Sequence, residues 1–212
     1  MNIHSVALNA VARRPRAAQT DPAPKREAIL RAAIDVFADR GYFNAQVADV
    51  ARAAGVAAGT VYLYFKSKDD LLVSIFERSM REDLALGRAA VAGLDDPAER
   101  LRRLARAHLA RLGADRSLAI VFQVELRQST KFMERFSSSL LRDYLGLIRE
   151  AIADGQRAGT FRSDIKPTVA AKMLFGALDE MATNWILSRR RYSLESDADA
   201  VVDLFLNGAR AR

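Results

Sequence analysis

From Lys25 onward the apolar residues recur at helical spacing, and nowhere does the chain alternate as a half-buried strand does. In KREAILRAAIDVFADRG the positions Ile29, Ala32, Ala33, Val36 and Phe37 follow a 3.6-residue period, and Gly41 stands where a glycine ends a helix. Asn44 is placed to cap a second helix with Val47, Val50, Ala51 and Ala54 on its inner face, closed by Gly55. A third runs from Ala57 or Ala58 through Tyr64. The segment KSKDDLL opens a fourth, over 68–92, with Asp69 and Asp70 in the first turn, where the helix dipole favours acids. After a break at GLDDPAER, where Pro97 suits a first turn, the pattern predicts helices over 97–112, 116–128, 131–158, 167–190 and 195–209. The expected fold is all-α, with an arm (1–24), a small head (25–70) and a larger helical body (71–212). The arm carries RRPR at Arg13–Arg16 and prolines at 15, 22 and 24, and is expected to be disordered.

Two short helices joined by a glycine turn and packed on a longer first helix predict a helix-turn-helix, whose second helix enters the DNA major groove. Gly59 and Thr60 fall near the start of that helix. A missing side chain there allows backbone to approach DNA, and a hydroxyl can reach phosphate or a base edge. Tyr62 and Tyr64 are two apart and cannot share a face, whereas Val61 and Phe65 are four apart and form the better core pair. The tyrosines are therefore free to reach DNA, or else they roof the head's own core.

Composition narrows the chemistry. The 212 residues carry a net charge of +7, and residues 1–68 hold ten basic residues against five acidic ones, which suits a polyanionic partner. The RRPR arm either enters a minor groove or supplies nonspecific charge. With no cysteine, disulfides and thiol chemistry are excluded; His4 and His108 are too far apart for a local metal motif. There is no Cys-His or Ser-His constellation and no phosphate-cradling glycine loop, so an enzyme is not expected. The apolar run LAIVF, 118–122, is far short of the roughly 18 residues that cross a bilayer, and the chain is expected to be soluble and cytoplasmic. An acid-poor, arginine-bearing start is shared by mitochondrial leaders and by any solvated basic arm.

The run AAIDVFADRGYFNAQVADVARAAGVAAGTVYLYFKSKDDLL resembles the TetR family of one-component transcriptional regulators, with GVAAGTVYLYFKSKDDLL its most specific part. The resemblance implies that Thr60, Tyr62 and Tyr64 contact DNA, that Gly59 permits close approach, and that Lys68 holds a phosphate. Where the family often has a Thr-Ser or Thr-Thr pair entering helix two, this chain has Ala45 and Gln46; the hydroxyl's role passes to Gln46. The resemblance also implies a homodimer on a palindromic DNA operator, joined through the last two helices and their residues Met173, Leu174, Ala177, Leu178, Met181, Trp185, Val201, Val202, Phe205 and Leu206. These apolar stripes otherwise bury within one chain.

The body supplies side chains for an enclosed pocket: Leu104, Leu109, Phe122, Phe132, Phe136, Leu140, Tyr144, Leu147 and Phe175, most of them core, together with Met173 and Ala177. Arginines at 100, 102, 103 and 106 lie along the fifth helix, and VELRQS sets Glu125 and Arg127 in an apolar segment. Arg103 and Arg106 are candidates for a ligand's phosphates, or else form a solvated face. GTVYLYFKSKDDLL, QVELRQS and FGALDEMATNWILS together resemble the FadR-type branch of the family, repressors of fatty-acid degradation genes that respond to long-chain acyl-CoA. That resemblance implies an acyl-CoA effector and no cofactor. The alternatives are a regulator of another hydrophobic compound, such as one controlling efflux, and a helical lipid carrier.

Overall fold

A computed structural model describes residues 22–128, 139–190 and 192–209. The RRPR arm, Phe132 and Phe136 lie outside the described residues. Among those described the chain is helical, with no strand.

Helix α1 (Pro22–Arg40) starts three residues before the expected Lys25, because Pro22 and Pro24 sit in the first turn, where a missing N–H breaks no hydrogen bond. The helices α2 (Val47–Ala53) and α3 (Ala58–Tyr64) follow. Asn44 does not cap α2: its Nδ2 donates to the Arg40 carbonyl at 3.2 Å and so closes α1. The cap is Gln46, extended in backbone, whose N–H donates to the Asp49 carboxylate at 3.1 Å. Between α2 and α3 the chain turns through Gly55 at φ +67°, a conformation in which a Cβ is strained, and the Val56 N–H returns to the Ala51 carbonyl at 2.9 Å.

Helix α4 (Lys68–Val91) serves both parts of the molecule. Its N-terminal residues Leu71, Leu72 and Ile75 close the head's core against Ile29, Leu30, Ala33, Phe37, Val50, Val61 and Phe65, all buried. Each such large side chain contributes about 1.5–3 kcal/mol by leaving water, so the head depends on α4. Further along, Gly87 lets α7 (Ser139–Arg157) approach α4: a Cβ there would lie 2.9 Å from the Leu147 Cδ1.

The body is built around α5 (Pro97–Gly113), which packs on α4, α7, α8 (Pro167–Leu187) and α9 (Ala198–Ala209). Three expected boundaries differ. The 116–128 segment is α6 (Arg116–Gln123) and then, past Val124, a 3₁₀ turn, Glu125–Gln128. Helix α8 stops at Leu187 rather than 190, where the Arg116 guanidinium donates to the carbonyls of Trp185 at 3.2 Å and Ile186 at 2.6 Å. The last helix opens at Ala198 because Leu194–Asp197 tightens into a 3₁₀ turn that buries Leu194.

Head and body meet where α1 lies on α6. Arg31 joins Asp35 of its own helix to Asp115. Burial and these partners push in opposite senses on Arg31, and the partners prevail, holding its pKa above the ordinary value. The Tyr42 N–H, at the corner after α1, donates to the buried Glu125 carboxylate at 2.6 Å.

Candidate nucleic-acid interface and effector pocket

Helix α3 turns Val61 inward, fully buried, and leaves Tyr62 56% and Leu63 82% exposed. Gly59 is exposed and Thr60 half-buried; Gln46 is exposed at the start of α2. Tyr62 and Tyr64 separate as their spacing requires, for Tyr64 is half-buried against the core, its ring 6.5 Å from that of Phe65. Nothing in the chain itself demands a glycine at 59: its φ is not positive and, beyond its chain neighbours and its own helix backbone, no atom of the described residues lies within 4 Å of the place a Cβ would take. Leu63, the most exposed apolar side chain of the head, was not singled out by motif; its place two residues past the buried Val61, on the opposite side of the helix, is the signal.

Lys68 is not available to a phosphate, contrary to the family-based expectation. Its ammonium donates to the carbonyls of Tyr42 at 2.8 Å, Phe43 at 3.2 Å and Ala45 at 2.9 Å, and it lies 4.5 Å from the centre of the Tyr42 ring. An ammonium has three donors, and all are engaged. Lys68 therefore ties the α1–α2 corner to the start of α4. The Tyr42 hydroxyl completes this tie by donating to Asp69; burial first, and Asp69 second, hold the phenol above its ordinary pKa. Two residues earlier, Lys66 is exposed and enters no ion pair among the described residues.

A narrow cavity of about 20 Å³, room for little more than a water, lies between α4, α5, α6, α7 and α8, so a larger ligand requires these helices to part. Its apolar wall is Met80, Leu112, Phe122, Tyr144 and Phe175. Its polar groups are Asp83, His108, Gln123, Arg127 and Asp179. Asp179 accepts from Gln123 Nε2 at 2.7 Å and from the Arg127 guanidinium, and Arg127 reaches the rim, its side chain 40% exposed. Burial pushes the Asp83 carboxyl up to about 6, against the opposing charge of Arg111 at 3.7 Å and with that of Glu82. Burial likewise pushes His108 down to about 4, so its imidazole is neutral, and Nδ1 meets the Tyr144 hydroxyl at 3.2 Å. Asp83 and Asp179, both on strongly apolar helix rows, are the signal that a reading for aromatic side chains passed over.

Of the side chains expected in the pocket, Phe122, Tyr144 and Phe175 line it. Leu109 is buried in the core beside it and Leu140 packs half-buried on that core. Arg103 and Arg106 do not reach it. Arg103 pairs with Glu99 at 2.7 Å, and Arg106 with Asp199 of α9 through two bonds of 2.8 and 2.7 Å. Their neighbours are occupied in the same way, Arg100 with Asp154 at 2.5 Å and Arg102 with Asp203 at 2.6 Å. Arg100, Arg102 and Arg106 thus bind α5 to α7 and α9, each with a carboxylate opposite, whereas Arg103 pairs along α5 itself. Met173, 62% exposed, and Ala177 also leave the pocket, since they lie on the outer face of α8. Leu174, Leu178, Trp185, Val202 and Leu206 are buried within the chain, whereas Val169, Leu187 and Leu204 remain exposed with Met173.

None of the described helices is long and apolar enough to cross a membrane. Residues 29–75 match the bacterial regulatory proteins, tetR family, and residues 76–208 match the YsiA-like protein, C-terminal region. The fatty acid metabolism regulator protein of Bacillus subtilis (strain 168) is 34% identical over 185 residues, 87% of this chain and 95% of that one. The structure of the fatty acid degradation regulator FadR from Bacillus halodurans is similar at a TM-score of 0.83 and 39% identity, covering 89% of this chain and 98% of that one. FadR from Bacillus subtilis in complex with stearoyl-CoA is similar at 0.81 and 32% identity, covering 87% and 99%. With head and body both matched, and relatives covered almost end to end, the protein belongs to the TetR family, whose members are transcriptional regulators and not enzymes.

Proposed function

We propose that the chain is an acyl-CoA-responsive repressor of fatty-acid degradation genes, acting in the cytoplasm as a homodimer on a palindromic operator. The observation that carries this reading is that one short segment serves both pocket and head. Gln123 and Arg127 turn to Asp179 in the pocket, and Glu125 between them turns to Tyr42 at the corner of the helix-turn-helix. A relative of the same fold in complex with stearoyl-CoA supports the choice of effector.

In this reading the head (25–70) reads DNA through Gln46, Gly59, Thr60, Tyr62 and Tyr64, and Lys66 replaces Lys68 at a phosphate. The body (71–212) joins two copies through the exposed face of α8 and α9, around Met173, Ala177 and Leu204. That pairing sets the recognition helices about 34–36 Å apart, one turn of duplex. The helices around the cavity part to admit an acyl chain against Met80, Phe122, Tyr144 and Phe175, and the phosphorylated head group meets Arg127 at the rim in exchange for Asp179. The exchange moves the 3₁₀ turn and its Glu125, while α4 transmits the same displacement to the head along its length. Ligand acts only through a difference in affinity between the two arrangements.

A second reading, release by a cationic hydrophobic compound, is favoured by the carboxylates Asp83 and Asp179 in the pocket. Operator selection from random duplexes, followed by titration with dodecanoyl-CoA and with tetraphenylphosphonium at fixed salt, separates the two. Enrichment of a palindrome bound by two chains and released by the acyl-CoA alone is the expected result; release by the cation alone supports the second reading and overturns the first.

A further inference from the structure

We infer that His108 is the polar recognition point of the pocket, its Nε2–H donating to the thioester carbonyl oxygen of the effector. The inference rests on the acyl-CoA reading.

His108 Nε2 is shut away from solvent and has no hydrogen-bond partner among the described residues. A buried polar group left unpaired is unfavourable, so Nε2 takes a partner: a water while the cavity is free of ligand, and a ligand atom once one displaces it. The other ring nitrogen decides what kind. Tyr144 hydroxyl and His108 Nδ1 are 3.2 Å apart and either can donate. If Nδ1 carried the proton, the Tyr144 O–H proton would be unpaired and Nε2 would be a second orphan, an acceptor. If Tyr144 donates, only one group is orphaned, and that group is Nε2–H. Phenols are also better donors than acceptors to imidazole. The tautomer with fewer losses thus presents a donor to the pocket.

The surroundings select a neutral acceptor. The imidazole is itself uncharged, since burial lowers its pKa to about 4. Asp83 and Asp179 line the same pocket, so a ligand carboxylate would face two acidic groups, whereas a carbonyl brings no charge. Asp179 is already held by Gln123 and Arg127, and Asp83 lies toward Arg111, so neither supplies the missing acceptor. Tyr144 and Phe175, whose rings lie 5.8 and 5.5 Å from that of His108, flank it with apolar surface that suits the chain next to the carbonyl.

The test compares dodecanoyl-CoA with S-dodecyl-CoA, a thioether with the same chain and head group but no carbonyl, by calorimetric titration of the full chain. Wild type is expected to bind the thioester about tenfold more tightly, and His108→Phe to bind the two within about threefold while keeping the wild-type affinity for the thioether. The retained thioether affinity is what a merely structural role would not preserve. Equal affinities in wild type, or discrimination that survives in His108→Phe, overturn the inference and leave the acyl-CoA reading intact. Should neither compound bind wild type, that reading falls and the inference with it. Should His108→Phe fail to fold, the wild-type comparison alone decides.

Discussion

The Glu125 carboxylate of the body accepts the backbone N–H of Tyr42 in the head at 2.6 Å, with Glu125 buried and Gln128 Nε2 donating to the same carboxylate at 3.2 Å. A hydrogen bond from backbone to a buried charge is strong and short in range, so head and body hold a fixed register at this point. Glu125→Ala removes the carboxylate to which the Tyr42 N–H donates. It is expected to lose about 1–3 kcal/mol in urea unfolding and to weaken the response of operator affinity to acyl-CoA. Glu125→Gln keeps an acceptor and is expected to retain more of both. A full acyl-CoA response in the alanine variant would show that coupling bypasses this contact.

Gly59→Ala separates folding from recognition. The added methyl meets nothing in the chain, and alanine is the better helix former, so thermal or urea unfolding is expected to show a gain of about 0.5–1 kcal/mol. Operator affinity is expected to fall severalfold because the methyl stands between α3 and DNA. Unchanged affinity would mean that the backbone does not approach DNA at this point.

The two lysines of KSK are expected to behave in opposite ways. Lys68→Met removes three bonds to the corner carbonyls and is expected to destabilise the fold by about 1–3 kcal/mol. For the fraction that remains folded, the salt dependence of operator binding keeps its slope. Lys66→Met is expected to leave stability within about 0.5 kcal/mol and to reduce the slope of log K against log salt by about one. The reverse pattern would return the phosphate to Lys68.

Asp83 and His108 face one pocket with opposed titrations. Asp83 rises from 3.8 to about 6, so the folded state holds its proton longer; that contribution is complete below about pH 4 and is lost as pH rises through 6. His108 falls from 6.5 to about 4, so the unfolded state binds its proton more readily; stability from this group is present above pH 6.5 and is lost as pH falls through 4. Over pH 4–6.5 the two slopes oppose each other. Asp83→Asn is expected to gain on the order of 2–3 kcal/mol relative to wild type above pH 6 and nothing below pH 4. His108→Phe is expected to lose the rising limb and leave Asp83's falling one. Urea unfolding of wild type and both variants at half-unit steps of pH reads these slopes, and parallel curves would contradict the assignment.

Local periodicity was enough to read the helices, because Ile29, Ala33 and Phe37 or Val50 and Val61 repeat on faces that do become the core. The caps and side-chain partners were less legible. Asn44 suits a cap by residue type and Gln46 does not, yet Asn44 turns its amide back to the Arg40 carbonyl and leaves the cap position to Gln46. Arg103 and Arg106 read as a basic face until their partners, Glu99 and Asp199, are placed opposite them; for Arg106 the carboxylate comes from ninety-three residues away. Lys68 was misplaced for the same reason, since three backbone carbonyls leave no mark in sequence. His108 was passed over as a solitary histidine, and its orphaned nitrogen becomes visible only when Tyr144 closes on the other side of the ring.

Coupling between pocket and operator is reciprocal, so it is tested most directly by measuring one linkage from both ends. Operator affinity is taken with and without saturating dodecanoyl-CoA, and dodecanoyl-CoA affinity with and without saturating operator, at one salt concentration. The expected result is a loss of about tenfold or more, equal in the two directions. Operator affinity unchanged by acyl-CoA bound in the pocket would contradict it.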